Sequence, residues 1–405
     1  MIGAAWWVLV AAFLAAGVWL QQGPLFLFGL LLALGTLASA LWARQCLTGV
    51  GYRRSLSAAR VSFGEETELT VEIVNAKLLP LAWLRVRDEW PVELPLLTGR
   101  LGNSHKADRL LLDNSLALRW YERVRRTYRL RGVERGAFEF GPAALYSGDI
   151  FGVQVRESTV PATDILLVHP KVTPVWDWRL PSGRPLGEVL ATRRLVVDPL
   201  RFAGVRDYAP GDNPRHIHWK NSARWRRLQT RVFDPEANQA LVLLVDVRTS
   251  PRGTFRIVPA YLELGISAAA SIASHALGER QAVGLYSNAN GAGRAGLLEV
   301  PISRDLGQRT RVLDVCARLT GISLLPCADL LSRLARRLPW GASLVVISSQ
   351  PDEDLLAAIW SAQTAGHSAL LLTIGEAPLE APAGLSVQHL GGVDAWNHLA
   401  ALEPG

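Results

Sequence analysis

Two apolar runs at the start of this chain constrain its surroundings more than any later motif. Residues 3–20 read GAAWWVLVAAFLAAGVWL, residues 25–43 read LFLFGLLLALGTLASALWA, and only QQGP separates them. No charged side chain precedes Arg44. Each run approaches the ~20 residues a helix needs to cross a bilayer core. Trp6, Trp7, Trp19 and Trp42 fall near the run ends, where indole rings favour the membrane–water interface. A cleaved signal peptide fits poorly, because no basic segment precedes the first run and a second run follows at once. The pattern predicts two transmembrane helices within residues 1–46. Arg44, Arg53, Arg54 and Arg60 follow with no acid before Glu65, whereas the turn at 21–24 is neutral. The positive-inside rule then places both termini, and everything from residue 44 onward, in the cytoplasm, as a multi-pass protein of the inner membrane.

The net charge is +7, yet only four of the 43 basic residues are lysine (Lys77, Lys106, Lys171, Lys220). So strong an arginine bias reads as genome composition and gives little support to nucleic-acid binding. Cys46, Cys316 and Cys327 are too few and too scattered for a disulfide framework or a zinc site. They fit reduced thiols in the cytoplasm.

Residues 47–165 alternate apolar and polar side chains in short runs, among them ELTVEIVN, AWLRVRDEW, RTYRLRG and GAFEFGPAALYS. Period 2 broken by Gly, Pro and Asn predicts half-buried antiparallel strands, and about seven of them suit a small β-sandwich. Trp83, Trp90 and Trp120 are expected to pack in its core or rim. YSGDIFG, residues 146–152, reads as a turn in which Gly148 and Gly152 supply permissive backbone. Nothing here carries chemistry, so this domain is assigned spacing and partner contact.

Residues 240–405 alternate strands with helices, starting from the continuous apolar run QALVLLVDV. That order predicts a parallel, doubly wound, Rossmann-type sheet. No GxGxxG follows the first strand and no GxxxxGK[ST] occurs, so a dinucleotide or P-loop site has no support. The first strand ends in DVRTS. This resembles the D-x-S-x-S sequence of von Willebrand factor A domains, which helps to hold a divalent cation. Asp246 and Ser250 match it, but Arg248 stands where the first serine belongs. A guanidinium has donors only, so it cannot ligate a metal; it is available to pair with Asp246. Asp352, in ISSQPDED, is the remaining acid of the site. The expectation is a degenerate site with no metal.

Between these regions, residues 166–239 hold GVRDYAPGDNPRHIHWKNSARWRRLQTRVF, which has no clear period. Asp212 or Asn213 with Pro214 reads as a helix start, followed by a short helix through RHIHWKNSAR and a strand in RLQTRVF. Gly204, Arg206, Tyr208, Pro210, Gly211, Asp212, Arg215, Ile217, Trp219, Ser222, Ala223, Arg224 and Leu228 together resemble the signature of the DUF58 family (domain of unknown function 58). LLPLAWLRVRDEWP, RGAFEFGP and LLVHPKVTP agree with it, so the resemblance covers essentially the whole chain. It implies a membrane-anchored bacterial protein that works beside a MoxR-type AAA+ ATPase, often with transglutaminase-like or other von Willebrand A proteins. It implies no established reaction.

The block itself leaves four readings. His216 and His218 are about 200° apart on a helix, so they cannot grip one metal together. Asp207 or Asp212 has no nucleophile placed beside it for hydrolysis. No nucleic-acid-binding motif is present. The preferred reading is structure and protein recognition. In it Arg206, Arg215 and Arg224 pair with Asp207, Asp212 and Asp234, Trp219 wedges against the sheet, and surplus arginines face an acidic partner. The partner-binding candidates are Arg206, Tyr208, Gly211, Asp212, Arg215, Trp219, Ser222 and Arg224. The chain as a whole reads as a non-enzymatic, cofactor-free scaffold on the membrane. The alternatives are a metal-dependent von Willebrand A-type ligand binder and an unrecognised hydrolase.

Overall fold

The computed structural model describes residues 4–150, 152, 154–175, 202–209, 214, 217–233, 240–250, 256–291, 294–400 and 402. Gly211, Asp212, Arg215, His216 and Asp234 lie outside these residues. The chain divides into two compact units, Met1–Lys171 with Cys316–Arg318, and Val172–Val315 with Leu319–Gly405.

The first unit begins with α1 (Ala4–Trp19) and α2 (Gly23–Gln45). Among the described residues α2 is the one helix long and apolar enough to cross a membrane. The 16 described residues of α1 cover about 24 Å, and residues 1–3 lie outside the described ones. The two helices pack closely because glycines remove side chains from their contact. A Cβ on Gly17 would sit 2.6 Å from the Phe26 Cα, and one on Gly29 would sit 3.0 Å from the Leu14 nitrogen. The rings of Phe13 and Phe28 meet edge to face at 5.3 Å.

Eleven strands follow: β1 (Val50–Leu56), β2 (Arg60–Val61), β3 (Glu66–Asn75), β4 (Leu81–Pro91), β5 (Leu101–Asn103), β6 (Arg109–Leu118), β7 (Arg123–Arg131), β8 (Gly136–Phe140), β9 (Ala143–Gly148), β10 (Val155–Val160) and β11 (Asp164–Val168). They form sheets ordered β1-β3-β7, β10-β9-β4-β6-β5 and β2-β11-β8. Side chains alternate as the period-2 pattern predicts: in β3, Thr67, Leu69, Val71, Ile73 and Asn75 are buried while their neighbours face outward. Leu69, Val71, Leu84, Trp90, Leu112, Phe140 and Leu166 join one core drawn from all three sheets. Trp90 is in that core, Trp83 donates to the Asp149 carbonyl at 3.0 Å, and Trp120 is exposed. Gly152 has the positive φ the turn requires. Gly148 is different: it lies in β9, where a Cβ would overlap the Gln154 carbonyl, so close approach is its reason.

Arg54 departs from its sequence reading. It is no free surface charge. Its guanidinium is buried, bonded to Asp88 at 2.6 Å and Asp164 at 3.0 Å and to the Ala162 carbonyl. The folded flank after α2 therefore carries less uncompensated charge than the count of arginines implied.

The second unit contains β12 (Phe202–Asp207), α3 (Trp219–Trp225), β13 (Gln229–Phe233), β14 (Leu241–Val245), α4 (Pro259–Gly278), β15 (Val283–Gly291), β16 (Arg294–Ser303), α5 (Gln308–Arg318), β17 (Leu319–Ser323), α6 (Cys327–Ala335), β18 (Ser343–Ser348), α7 (Glu353–Thr364), β19 (Ser368–Thr373), β20 (Ser386–His389) and α8 (Val393–Asn397). The last three residues of α5 fall to the first unit. A seven-stranded sheet runs β16-β15-β14-β18-β19-β20, with β17 paired to β15. The ladders among β15, β14, β18, β19 and β20 are parallel; β16 and β17 add antiparallel pairs at β15. All five residues of β14 are buried, as a strand covered on both faces requires. Val242 and Leu244 pack with α6 and α7. Gly265 of α4 instead approaches Ile347 and Ile374, which places α4 on the opposite face.

Candidate functional site

In open α/β sheets ligands bind outside the carboxyl ends of the strands, where connections leave in opposite directions. Here that point lies between β14 and β18: the chain goes from β14 to β15 on one side and later returns to β18 on the other. Asp246 follows β14, and Ser348 ends β18.

Asp246 is buried and fully engaged. One carboxylate oxygen accepts from the Arg248 backbone N–H at 3.1 Å and from Asn288 Nδ2 at 2.8 Å. The other accepts from Ser348 Oγ at 2.9 Å. Burial pushes its carboxyl above the usual range, although Asn288, the Arg248 N–H and Ser348 pull in the other direction. Asn288 is itself fixed, since its Oδ1 accepts from the Val247 N–H at 3.0 Å.

The Arg248 guanidinium does not turn back to Asp246 as the sequence suggested. It spans the crevice, donating to the Gln350 carbonyl at 2.9 Å and pairing with Asp352 at 2.8 Å. Asp352 also caps α7, accepting from the Leu355 N–H at 3.0 Å, a favourable place for a carboxylate. Ser250 is half-buried in the following loop. These residues do not fit a hard divalent cation, which needs several oxygens with open lone pairs. The Asp246 oxygens are taken by three protein donors, and a fixed cation lies across to Asp352. Nearby, burial pushes the Cys327 thiol well up, with the Asp246 and Asp352 carboxylates adding to it against the pull of Arg248. That direction is opposite to the lowered pKa of an activated thiol.

Beside the crevice is a cavity of about 330 Å³ whose lining includes Tyr261, Ser349, Gln350, Thr373, Glu376 and Leu379. Tyr261 donates to Glu376 at 3.0 Å.

The basic block has a different construction from the one its pattern suggested. β12 and β13 pair antiparallel, Arg206 opposite Thr230 and Asp207 opposite Gln229. The described helix begins at Trp219, capped by His218, whose Nδ1 accepts from the Asn221 N–H at 3.1 Å. That makes Nδ1 the acceptor of the cap. Ser222 is buried and accepts from the Gln229 N–H at 2.8 Å, tying α3 to β13. The Asp207 carboxylate takes Gln229 Nε2, and Arg206 donates to the Asp207 backbone carbonyl at 3.2 Å; Asp212, Arg215 and Asp234 of the expected pairs lie outside the described residues. Tyr208 is half-buried, and its N–H donates to the Leu228 carbonyl at 2.8 Å. Trp219 does not wedge against the sheet: it is 68% exposed, as is Trp225, and Leu228 is 48% exposed. Lys220, Arg224, Arg226 and Arg227 are exposed around them.

Asn288, Ser348 and Gln350 escaped the sequence reading. The available signal was polar side chains inside otherwise apolar strands, LYSNAN and VVISSQ.

Residues 204–364 match the family described as "Protein of unknown function DUF58". The matched stretch reaches from the β12–β13 hairpin to the end of α7 and holds both the basic block and the crevice. A curated relative, the uncharacterised protein YeaD of Bacillus subtilis (strain 168), is 26% identical over 357 residues, which covers 86% of this chain and 78% of the relative. Among solved structures, the CARDB domain of a Pyrococcus furiosus protein is 13% identical over 29% of this chain and 93% of its own, with a TM-score of 0.21. A non-cellulosomal cohesin from Archaeoglobus fulgidus is 11% identical over 30% of this chain and 91% of its own, with a TM-score of 0.20. Scores this low carry no argument about fold or function.

Proposed function

We propose that this protein is a scaffold held in the cytoplasmic membrane by the α1–α2 hairpin, with both termini in the cytoplasm, and that it docks a MoxR-type AAA+ ATPase during the assembly or remodelling of other proteins. In this reading the strand-rich unit is a β-sandwich spacer and the α/β unit a von Willebrand A-like module whose metal position is filled by Arg248. One observation carries the proposal. Inside the DUF58 match, a short helix and turn expose Trp219, Trp225 and Leu228 among Lys220, Arg224, Arg226 and Arg227. Exposed tryptophans beside arginines are what protein-binding hot spots are made of, and the surrounding charge suits an acidic surface.

The test is affinity capture of the full chain from detergent-solubilised native membranes, read by mass spectrometry. The wild type is expected to recover the ATPase. Trp219→Ser with Trp225→Ser should lower recovery at least about tenfold, the loss of one hot spot or more. Equal recovery by the variant, or recovery of nucleic acid without the ATPase, would count against the docking role.

A further inference from the structure

We infer that the foot of α2 holds a binding site for the headgroup of an anionic phospholipid. The inference rests on α2 lying in a membrane, and it assigns a site to that contact. A cavity of about 440 Å³ opens where α2 meets β10. Arg44 lines it from the last turn of the helix and Arg156 from β10, and Ala43, Leu47, Thr48, Glu157 and Ser158 complete the wall, the Thr48 hydroxyl donating to the Gln45 carbonyl at 2.8 Å.

Three observations distinguish this from an ordinary surface hollow. First, neither guanidinium is committed: among the described residues Arg44 and Arg156 make no ion pair or hydrogen bond. Second, two guanidinium groups outnumber the one acid on the wall, Glu157, whose Oε1 accepts from the Tyr146 hydroxyl at 3.0 Å. Third, Arg44 is not needed to close its own helix. Lys77 Nζ donates to the Thr48 carbonyl at 2.6 Å and to the Cys46 carbonyl, placing an ammonium at the negative end of the helix dipole. Two spare guanidinium groups facing one cavity match a phosphodiester, the anion guanidinium forks recognise best. The exposed Ser158 hydroxyl on the same wall matches a polyol headgroup. The position agrees: α2 spans about 34 Å at 1.5 Å per residue, so a helix that fills the hydrocarbon core brings its last turn to headgroup level.

The full chain is reconstituted in vesicles of phosphatidylcholine with or without phosphatidylglycerol, extracted in detergent, and its retained lipid identified by native mass spectrometry. Retention of phosphatidylglycerol over phosphatidylcholine is expected, falling at least about tenfold in Arg44→Gln with Arg156→Gln. Inorganic phosphate added to the extract should not displace the lipid. Equal retention of both lipids, unchanged retention in the double variant, or displacement by phosphate would each overturn the site. Carbonate-resistant incorporation into pure phosphatidylcholine vesicles separates the two claims. An incorporated chain without lipid preference refutes the headgroup site alone, whereas a chain that enters no vesicle refutes the membrane anchor and the site with it.

Discussion

At Asp246 burial and hydrogen bonding oppose each other, and burial prevails: its carboxyl is raised above the ordinary 3.8. An acid whose native pKa exceeds its unfolded one favours the folded state most where both are protonated. That stability is lost as pH rises from the unfolded value, near 4, through the raised native value. Asp246→Asn removes the charge yet keeps an acceptor toward Asn288 and the Arg248 N–H, while its amide can donate to Ser348. The full chain in detergent should therefore lose more thermal midpoint between about pH 4 and about pH 8 than the Asn variant. Groups with lowered pKa, such as Asp305, act equally on both proteins and cancel in the difference. An equal or steeper loss in Asp246→Asn would contradict the account. Asp246→Ala instead strands three donors and should cost about 1–3 kcal/mol. Asp246, Arg248 and Asp352 stood out in the sequence because acids at strand ends are chemically conspicuous. Which atom each side chain would meet did not, because Asn288 and Ser348 arrive from strands 40 and 100 residues away, roughly, and only the parallel register brings them together.

Between elements, the same contrast appears at Arg54. Its side chain and that of Asp88 are 1% and 2% exposed, and Tyr52 donates to the second Asp88 oxygen at 2.5 Å. The cluster ties β1 to β4 and, through Asp164, to β11. Gly141 lies so close that a Cβ would overlap the guanidinium. Burial pushes the Asp88 carboxyl up while Arg54 and then Tyr52 draw it back, so removing the arginine leaves a buried acid without its cation. Arg54→Met should cost about 3–5 kcal/mol, and adding Asp88→Leu should recover much of that loss, as apolar replacement of buried pairs does. Chemical denaturation of the single and double variants measures both; a double variant less stable than the single would overturn the argument. Period and apolar continuity made β3, β4, β14, α4, β18, α7 and β19 legible, because burial on one or two faces writes itself into the sequence. The antiparallel β16 and β17 and the short β20 were not anticipated, since irregular pairing leaves no comparable period. Arg54 could not be told from Arg53: a partnered buried arginine and a solvated one look the same until the strands are folded.

For the whole molecule the decisive surface is that of α2, where Leu27, Phe28, Leu31, Leu34, Leu37 and Leu41 are each half or more exposed. A contiguous apolar face of this kind is unstable in water, so the full chain should resist alkaline carbonate extraction from membranes. The end of the helix differs. Ala43 and Cys46 are fully buried, and Trp42 and Leu47 pack on the core of the strands, so the last turns of α2 belong to the strand-rich unit. The boundary between anchor and folded unit thus falls inside a continuous helix, near Leu41, and not at its end. A chain truncated to begin at Trp42 should be soluble and keep its thermal midpoint. One beginning at Gly49 loses Trp42, Ala43, Cys46 and Leu47 together and should be destabilised by several kcal/mol, at about 1.5–3 kcal/mol for each large apolar side chain uncovered. Size-exclusion chromatography and thermal melts of the two truncations distinguish them. If both behave alike, the end of α2 contributes nothing to the core and the anchor ends where the helix does.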